Sequence, residues 1–219
     1  PALGYDPARD LLPLVLAVTQ PNVLAVRADL KVDGLKALIE LARAHPGRLN
    51  YASVGNGSLS HLSMELLKMQ AGVYVVHIPY SGGPPAVQAL ASGEVDALFT
   101  ALSNLQPLVR AGKARLIAVS NVRRSIAAPE VATVAEQGFS GFDATTWNGF
   151  MAPAGTPAPV IAELNQAINR VLADAEIRNR LLASGAEPAG GSADQFATLL
   201  RAERARWAGV IRRTGIKAD

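Results

Sequence analysis

The chain has 219 residues, 49% hydrophobic and 18% charged, with a formal net charge of +3 and no cysteine. That balance belongs to a folded globular chain of one large or two small domains and argues against disorder over most of its length. The missing cysteines exclude a disulfide framework, a thiol nucleophile and cysteine metal sites. The longest uninterrupted apolar run, Leu11 to Val18, contains a proline and is too short to cross a bilayer. The first residue is Pro1 rather than methionine, which reads as a cut N-terminus with no signal peptide left to see.

Short apolar runs alternate with longer helical patterns, the signature of an α/β protein. Leu12 to Val18 and Asn22 to Val26 read as extended, separated by Thr19-Gln20-Pro21. Leu35 to Ala44 reads as a helix with Leu35, Leu38, Ile39 and Ala42 on one stripe, Asp33 as N-cap and Pro46-Gly47 as terminator. A strand follows over Leu49 to Ser53, then the loop Val54-Gly55-Asn56-Gly57 and a helix from about Leu59 to Gln70. Val73 to Ile78 is a strand, Tyr80-Ser81-Gly82-Gly83 a loop, and Pro84 to Ala91 a helix, with proline suited to the first turn. Strands are predicted at Val95 to Phe99, Leu116 to Ser120 and Thr145 to Ala152, and short helices at Leu105 to Arg110 and Val131 to Gln137. Pro157 to Ala173 is an amphipathic helix with Val160, Leu164, Ile168, Val171 and Leu172 as its apolar face. Ala175 to Ala183 and Ala193 to Ile211 complete a helical C-terminal third.

Two segments share one grammar of strand, glycine-rich loop with hydroxyls, then helix: Asn50 to Ser58 and Pro79 to Gly83. Glycine allows close backbone approach, and a helix start offers unpaired N–H groups and partial positive charge, so such a loop suits an anion. Each loop alone reads first as an ordinary turn, and the pair together brings a shared anion site level with that reading. Neither fits GxxxxGK[ST] or GxGxxG, which argues against a nucleotide, and no cofactor is implied.

Catalytic patterns are sparse. His45, His61 and His77 show no metal-ligand spacing, and there is no G-x-S-x-G elbow. His61, in the first turn after the glycine loop, either reaches a ligand or packs; His77, ending a strand, reads as structural. Trp147 is either core or half-buried against a ligand, and Gly149 beside it suggests a close approach to backbone. The basic C-terminal residues Arg201, Arg204, Arg206, Arg212, Arg213 and Lys217, against Glu203 and Asp219, read as a solvated helix face, so nucleic acid is not expected as a partner.

Several stretches resemble one family as an ordered set. They are Tyr5-Asp6-Pro7, Leu49 to Ser53 with Gly55-Asn56-Gly57-Ser58 and His61, His77-Ile78-Pro79-Tyr80 and Ala118-Val119-Ser120. Thr133-Val134-Ala135-Glu136, Ala152 to Pro157 and Gly185-Ala186-Glu187-Pro188 continue it. Together they look like the Bug family, the periplasmic solute receptors of tripartite tricarboxylate transporters, from Pro1 to Asp219. The resemblance implies a type II periplasmic binding fold of two α/β lobes, the second over residues 22–144 and the first over 1–21 and 145–219. Such receptors begin with a strand and a glycine-rich, aspartate-containing loop that this chain lacks, so the first lobe is expected to be incomplete. Carried over by motif, the ligand residues are Ser53, Gly55, Gly57, Ser58 and His61 in one loop and Tyr80 and Gly82 in the next. Asn56, Ser81, Thr100, Ala101 and Trp147 complete the expected set. Thr100-Ala101 stands where the family often shows Asp-Asn, and Ser81 where a lysine is common.

The implied function is capture of a small carboxylate in the periplasm and its delivery to the membrane subunits of a tripartite transporter. Two alternatives stay open. One is a shortened remnant that self-associates, as a homodimer, through its depleted first lobe. The other is a small α/β hydrolase using Ser58 and His61 as nucleophile and base, three residues apart on a helix.

Overall fold

The computed structural model describes residues 4–217. In chain order the elements are α1 (Pro7–Asp10), β1 (Leu11–Gln20), β2 (Asn22–Arg27), α2 (Leu35–Ala44), β3 (Asn50–Ser53), α3 (Leu59–Ala71), β4 (Val76–Pro79) and α4 (Gly83–Ser92). They continue with β5 (Ala97–Ala101), α5 (Leu102–Arg110), β6 (Ala114–Val119), β7 (Thr146–Pro153), α6 (Ala158–Ala173), α7 (Ala175–Ala183), β8 (Glu187–Pro188) and α8 (Ala193–Thr214). Contacts divide the chain into two compact units, Pro1–Gln20 with Trp147–Arg206 and Pro21–Thr146 with Trp207–Asp219. The ends of the predicted first lobe, residues 1–3 and 218–219, lie outside the described residues.

The larger unit is built on a five-stranded sheet in the order β4-β3-β5-β2-β6. β3 runs parallel to β4 and β5, while β2 runs antiparallel to β5 and β6. Side chains alternate between the two faces of a strand. Leu24, Val26, Tyr51 and Phe99 therefore enter one core with Leu35, Leu38, Leu67 and Phe142, and Val23, Ala25, Ala52 and Leu98 enter the other with Ala86, Leu90 and Leu105. Because both faces are covered by helices, these strands read as continuous apolar runs rather than alternating ones. Each fully buried side chain of this size contributes about 1.5–3 kcal/mol. Val210, near the end of α8, is buried in the first of these cores.

Two local expectations fail for tertiary reasons. Asp33 does not cap α2: its side chain is fully exposed, and the Leu35 N–H is instead taken by Gln137 Oε1 at 3.2 Å. The helix expected over Val131 to Gln137 is a run of turns. Thr133 and Glu136 do form a reciprocal capping box, Thr133 N to Glu136 Oε2 at 2.7 Å and Glu136 N to Thr133 Oγ1 at 3.0 Å. The turn cannot propagate, because Thr133 is bridged to Val119 and Gly138 takes φ +104° one turn later.

The smaller unit holds a three-stranded sheet in the order β7-β1-β8, with Leu14 and Val15 of β1 packed on Ala152, Leu172, Ile161 and Ile168. Only Leu172 of the predicted α6 face is buried; Ile168 is half-buried, and Val160, Leu164 and Val171 are 41%, 40% and 54% exposed. The helix is turned so that Asn165 faces inward, its amide donating to Leu14 O at 2.7 Å and Gly191 O at 2.9 Å. Satisfying those carbonyls fixes a different phase from the one apolar periodicity suggests. At Gly149 the close approach is made by Phe196: a Cβ there would lie 2.2 Å from the ring.

Candidate functional site

The parallel strands β4, β3 and β5 deliver their carboxyl ends side by side, with Ser53 in register with Pro79 and Ala52 with Leu98. Each strand leads into a helix, so the starts of α3, α4 and α5 gather at one edge. Contacts tie the three together. Tyr80 N donates to Ser53 O at 3.0 Å, the Ser60 hydroxyl donates to Phe99 O, and Asn104 Nδ2 lies 3.4 Å from the position a Cβ on Gly83 would occupy. In sheets of this kind ligands bind beyond the carboxyl ends of the strands. Eleven of the twelve expected ligand residues sit at this edge: Ser53, Gly55, Asn56, Gly57, Ser58, His61, Tyr80, Ser81, Gly82, Thr100 and Ala101. Trp147 does not belong to the group within this unit; it lies on β7 of the other unit, edge-on to Phe196 with ring centroids 5.5 Å apart.

The first loop is bonded to itself. Gly55 adopts φ +134°, a conformation open to glycine and costly for other residues. The Ser58 hydroxyl donates to Gly55 O at 2.6 Å and accepts from His61 N at 3.3 Å, which makes Ser58 the N-cap of α3. Gly57 N donates to His61 Nδ1 at 3.2 Å. Ser53, wholly buried, bonds through its hydroxyl to Gly55 O at 3.1 Å, Gly55 N at 3.3 Å and His77 Nε2 at 2.6 Å. The side chains expected to hold a ligand therefore shape the loop, taking up the Gly55 and Gly57 amides, and residues 55–57 are half-buried.

The second loop is open. The Tyr80 hydroxyl donates to Glu94 at 2.8 Å, and burial with this bond pushes it up to about 12. Ser81 is exposed, and Gly82 heads α4 without a side-chain cap. Pro84 and Pro85 have no N–H, so among the first three helical positions of α4 only Gly83 carries a backbone donor. At the third strand, buried Thr100 accepts from Asn104 Nδ2 at 3.0 Å, and Ala101 heads α5, again without a side-chain cap.

Sequence reasoning missed one residue here. Asn104 sits one helical turn after Thr100, a spacing that could have flagged it. His77 reads as structural, and the β3–β4 register packs it beside Tyr51, with its ring 3.8 Å from that of His61. Burial, then the neighbouring His61, lowers His77 to about 4, and burial also lowers His61. The hydrolase arrangement is not formed: Ser58 Oγ meets the backbone N of His61, not its ring. Among the described residues no group of three His, Cys, Asp or Glu could hold a metal, and no helix is long and apolar enough to cross a membrane. The basic C-terminal face is solvated as expected at Arg201, Arg204, Arg212, Arg213 and Lys217, while Glu203 is buried.

A sheet edge that collects three helix starts around glycine loops is an α/β arrangement that suits a bound anion. The chain belongs to the tripartite tricarboxylate transporter family of receptors, which it matches over residues 1–216. It is 36% identical to BugT of Bordetella pertussis over 217 residues, 99% of this chain and 67% of BugT. It is 38% identical over 212 residues to a UPF0065 protein from the tcbD-tcbE intergenic region of a Pseudomonas species, 96% of this chain and 63% of that protein. The chain thus spans about two thirds of the length of these curated relatives. Among solved structures, an R. palustris protein with adipate matches with TM-score 0.83 and 36% identity, over 98% of this chain and 72% of that one. MatC from Rhodopseudomonas palustris with bound malate matches with TM-score 0.78 and 34% identity, over 96% and 73%. The periplasmic binding protein BugD matches with TM-score 0.79 and 28% identity, over 99% and 73%. Over the part of their length that it covers, the chain shares the fold of these proteins.

Proposed function

We propose that this chain takes part in capturing a small carboxylate in the periplasm, for delivery to the membrane subunits of a tripartite transporter, and catalyses no reaction. The observation that carries the reading is the gathering of the starts of α3, α4 and α5 at one sheet edge, where peptide dipoles and first-turn N–H groups favour a negative charge. The ligand set is the Gly83 N–H at the start of α4, with exposed Ser81 and the Asn104 amide beside it, on a floor shaped by residues 55–57 and 82. Adipate and malate, seen in the relatives' structures, set the class of acid to try. Titration calorimetry against adipate, malate and a panel of aromatic acids tests this, with amines and neutral sugars as controls. Binding by acids alone is expected, and an acid at a hundredfold excess over its Kd should stabilise the fold by ~2.7 kcal/mol. Silence across the acid panel at millimolar concentration would remove the receptor reading.

A second reading concerns assembly. Val160, Leu164 and Val171 form an exposed apolar stripe along α6, and such stripes tend to be covered by another surface. Self-association through this face, as a homodimer, should appear as twice the monomer mass in light scattering at micromolar concentration and disappear in Leu164→Glu. A clean wild-type monomer would refute it.

A further inference from the structure

Ser53, His77 and His61 form a buried polar chain beneath the first loop, and its proton directions follow from counting acceptors. The Gly55 carbonyl already accepts from Ser58 Oγ at 2.6 Å and Ser58 N at 3.2 Å, which fills both of its lone pairs. The single hydroxyl proton of Ser53 therefore goes to the nearer His77 Nε2 at 2.6 Å rather than to Gly55 O at 3.1 Å. His77 then carries its own proton on Nδ1, and the freed lone pair of Ser53 Oγ receives Gly55 N at 3.3 Å. His61 is held in the matching way, since Nδ1 can accept Gly57 N only while that nitrogen is bare. Both imidazoles thus grip the loop as acceptors, and only in their neutral forms.

We propose that His77, acting through Ser53, is a positioning residue for the first loop: together with His61 it ties the Gly55 and Gly57 amides inward and so fixes the course of residues 55–57 at the helix start where the carboxylate is to bind. The proposal rests on the receptor reading for its ligand, but the clamp itself can be measured without one. A proton on His77 Nε2 would turn that nitrogen into a donor and drive the Ser53 hydroxyl onto the already filled Gly55 carbonyl. That sets it in competition with the Ser58 hydroxyl for Gly55 O and loosens the loop ahead of α3.

The surroundings oppose charge on this pair. His61 and His77 are stacked 3.8 Å apart, and Tyr51 stacks on His77 at 4.9 Å. Glu65 acts on both rings in favour of charge and Lys68 against it; the two are paired, and Glu65 also accepts the Tyr51 hydroxyl at 2.7 Å. With His77 lowered to about 4, its neutral form dominates above that value. The stability it contributes is full above the unfolded histidine pKa of about 6.5 and declines as pH falls from there through about 4.

Amide exchange measured as protection factors in wild type, His77→Phe and His77→Gln is the test. Phenylalanine keeps the ring stack but cannot accept from Ser53, so protection of the Gly55 and Gly57 amides should fall at least tenfold at pH 7.5. Glutamine can accept through Oε1, so protection should persist, while the loss seen in wild type on acidification toward pH 4 should be blunted. Wild-type protection in His77→Phe would overturn the proposal, as would an unaltered acid transition in His77→Gln; the latter stands even if the phenylalanine variant misfolds. Adipate titrations on the same proteins separate the two readings. A wild type that shows the exchange pattern but binds no acid sinks the receptor reading alone. Equal affinity and pH profile in wild type and His77→Phe sinks the clamp alone.

Discussion

The two glycine loops have one sequence grammar and opposite physical states. The first, between β3 and α3, is closed by serine and histidine side chains that accept or donate to its own backbone. The second, between β4 and α4, has no side-chain cap and two prolines where backbone donors would be. A glycine loop before a helix is therefore not one device. Hydroxyls and imidazoles that look like ligand groups on paper are drawn inward wherever the loop's own amides need partners, because an unsatisfied buried polar group costs about 1–3 kcal/mol. Where nothing is drawn inward, as at exposed Ser81, the side chain is left free for solvent or a ligand.

Breaking the first loop's backbone is expected to have the largest effect. Gly55→Val places a β-branched residue at φ +134° and should cost about 1–3 kcal/mol in denaturant unfolding. It should also reduce carboxylate affinity, since the strain is relieved by moving residues 55–57. No loss of either would mean that the loop is not held as described.

Ser58→Ala comes next. Its hydroxyl caps α3, so the melting curve should show a loss of about 1 kcal/mol. Affinity should change only as far as the loop shifts; a large affinity loss at full stability would make Ser58 a ligand contact after all. The smallest effect belongs to the second loop. Ser81→Ala removes an exposed hydroxyl and should leave stability within about 0.5 kcal/mol. A calorimetric loss of affinity there, with stability intact, would assign the ligand to the open loop rather than the closed one.

Much of the fold was legible. The bounds of Leu35–Ala44 and Ala175–Ala183 coincide with prediction, and α3 and α6 differ by a residue. These segments carry their own punctuation, such as Ser58 before α3 and Gly72 after it. The eleven edge residues were also legible as a group, because motif order marks strand ends and a parallel sheet brings those ends together. Their individual roles were not, since whether a serine faces a ligand or its own loop depends on which acceptors lie within 3 Å.

By itself the sequence determined most of the helices and strands, the α/β class, and the receptor family to which the chain belongs. These follow from periodicity, turn residues and motif order, all properties of neighbours along the chain. Only the tertiary structure decided that Gln137 rather than Asp33 meets the start of α2, that Asn165 sets the phase of α6, and that His77 lies against Ser53. Each is a polar contact between residues 24 to 151 positions apart. Strand register and helix rotation fix such contacts, and local propensity carries no information about either.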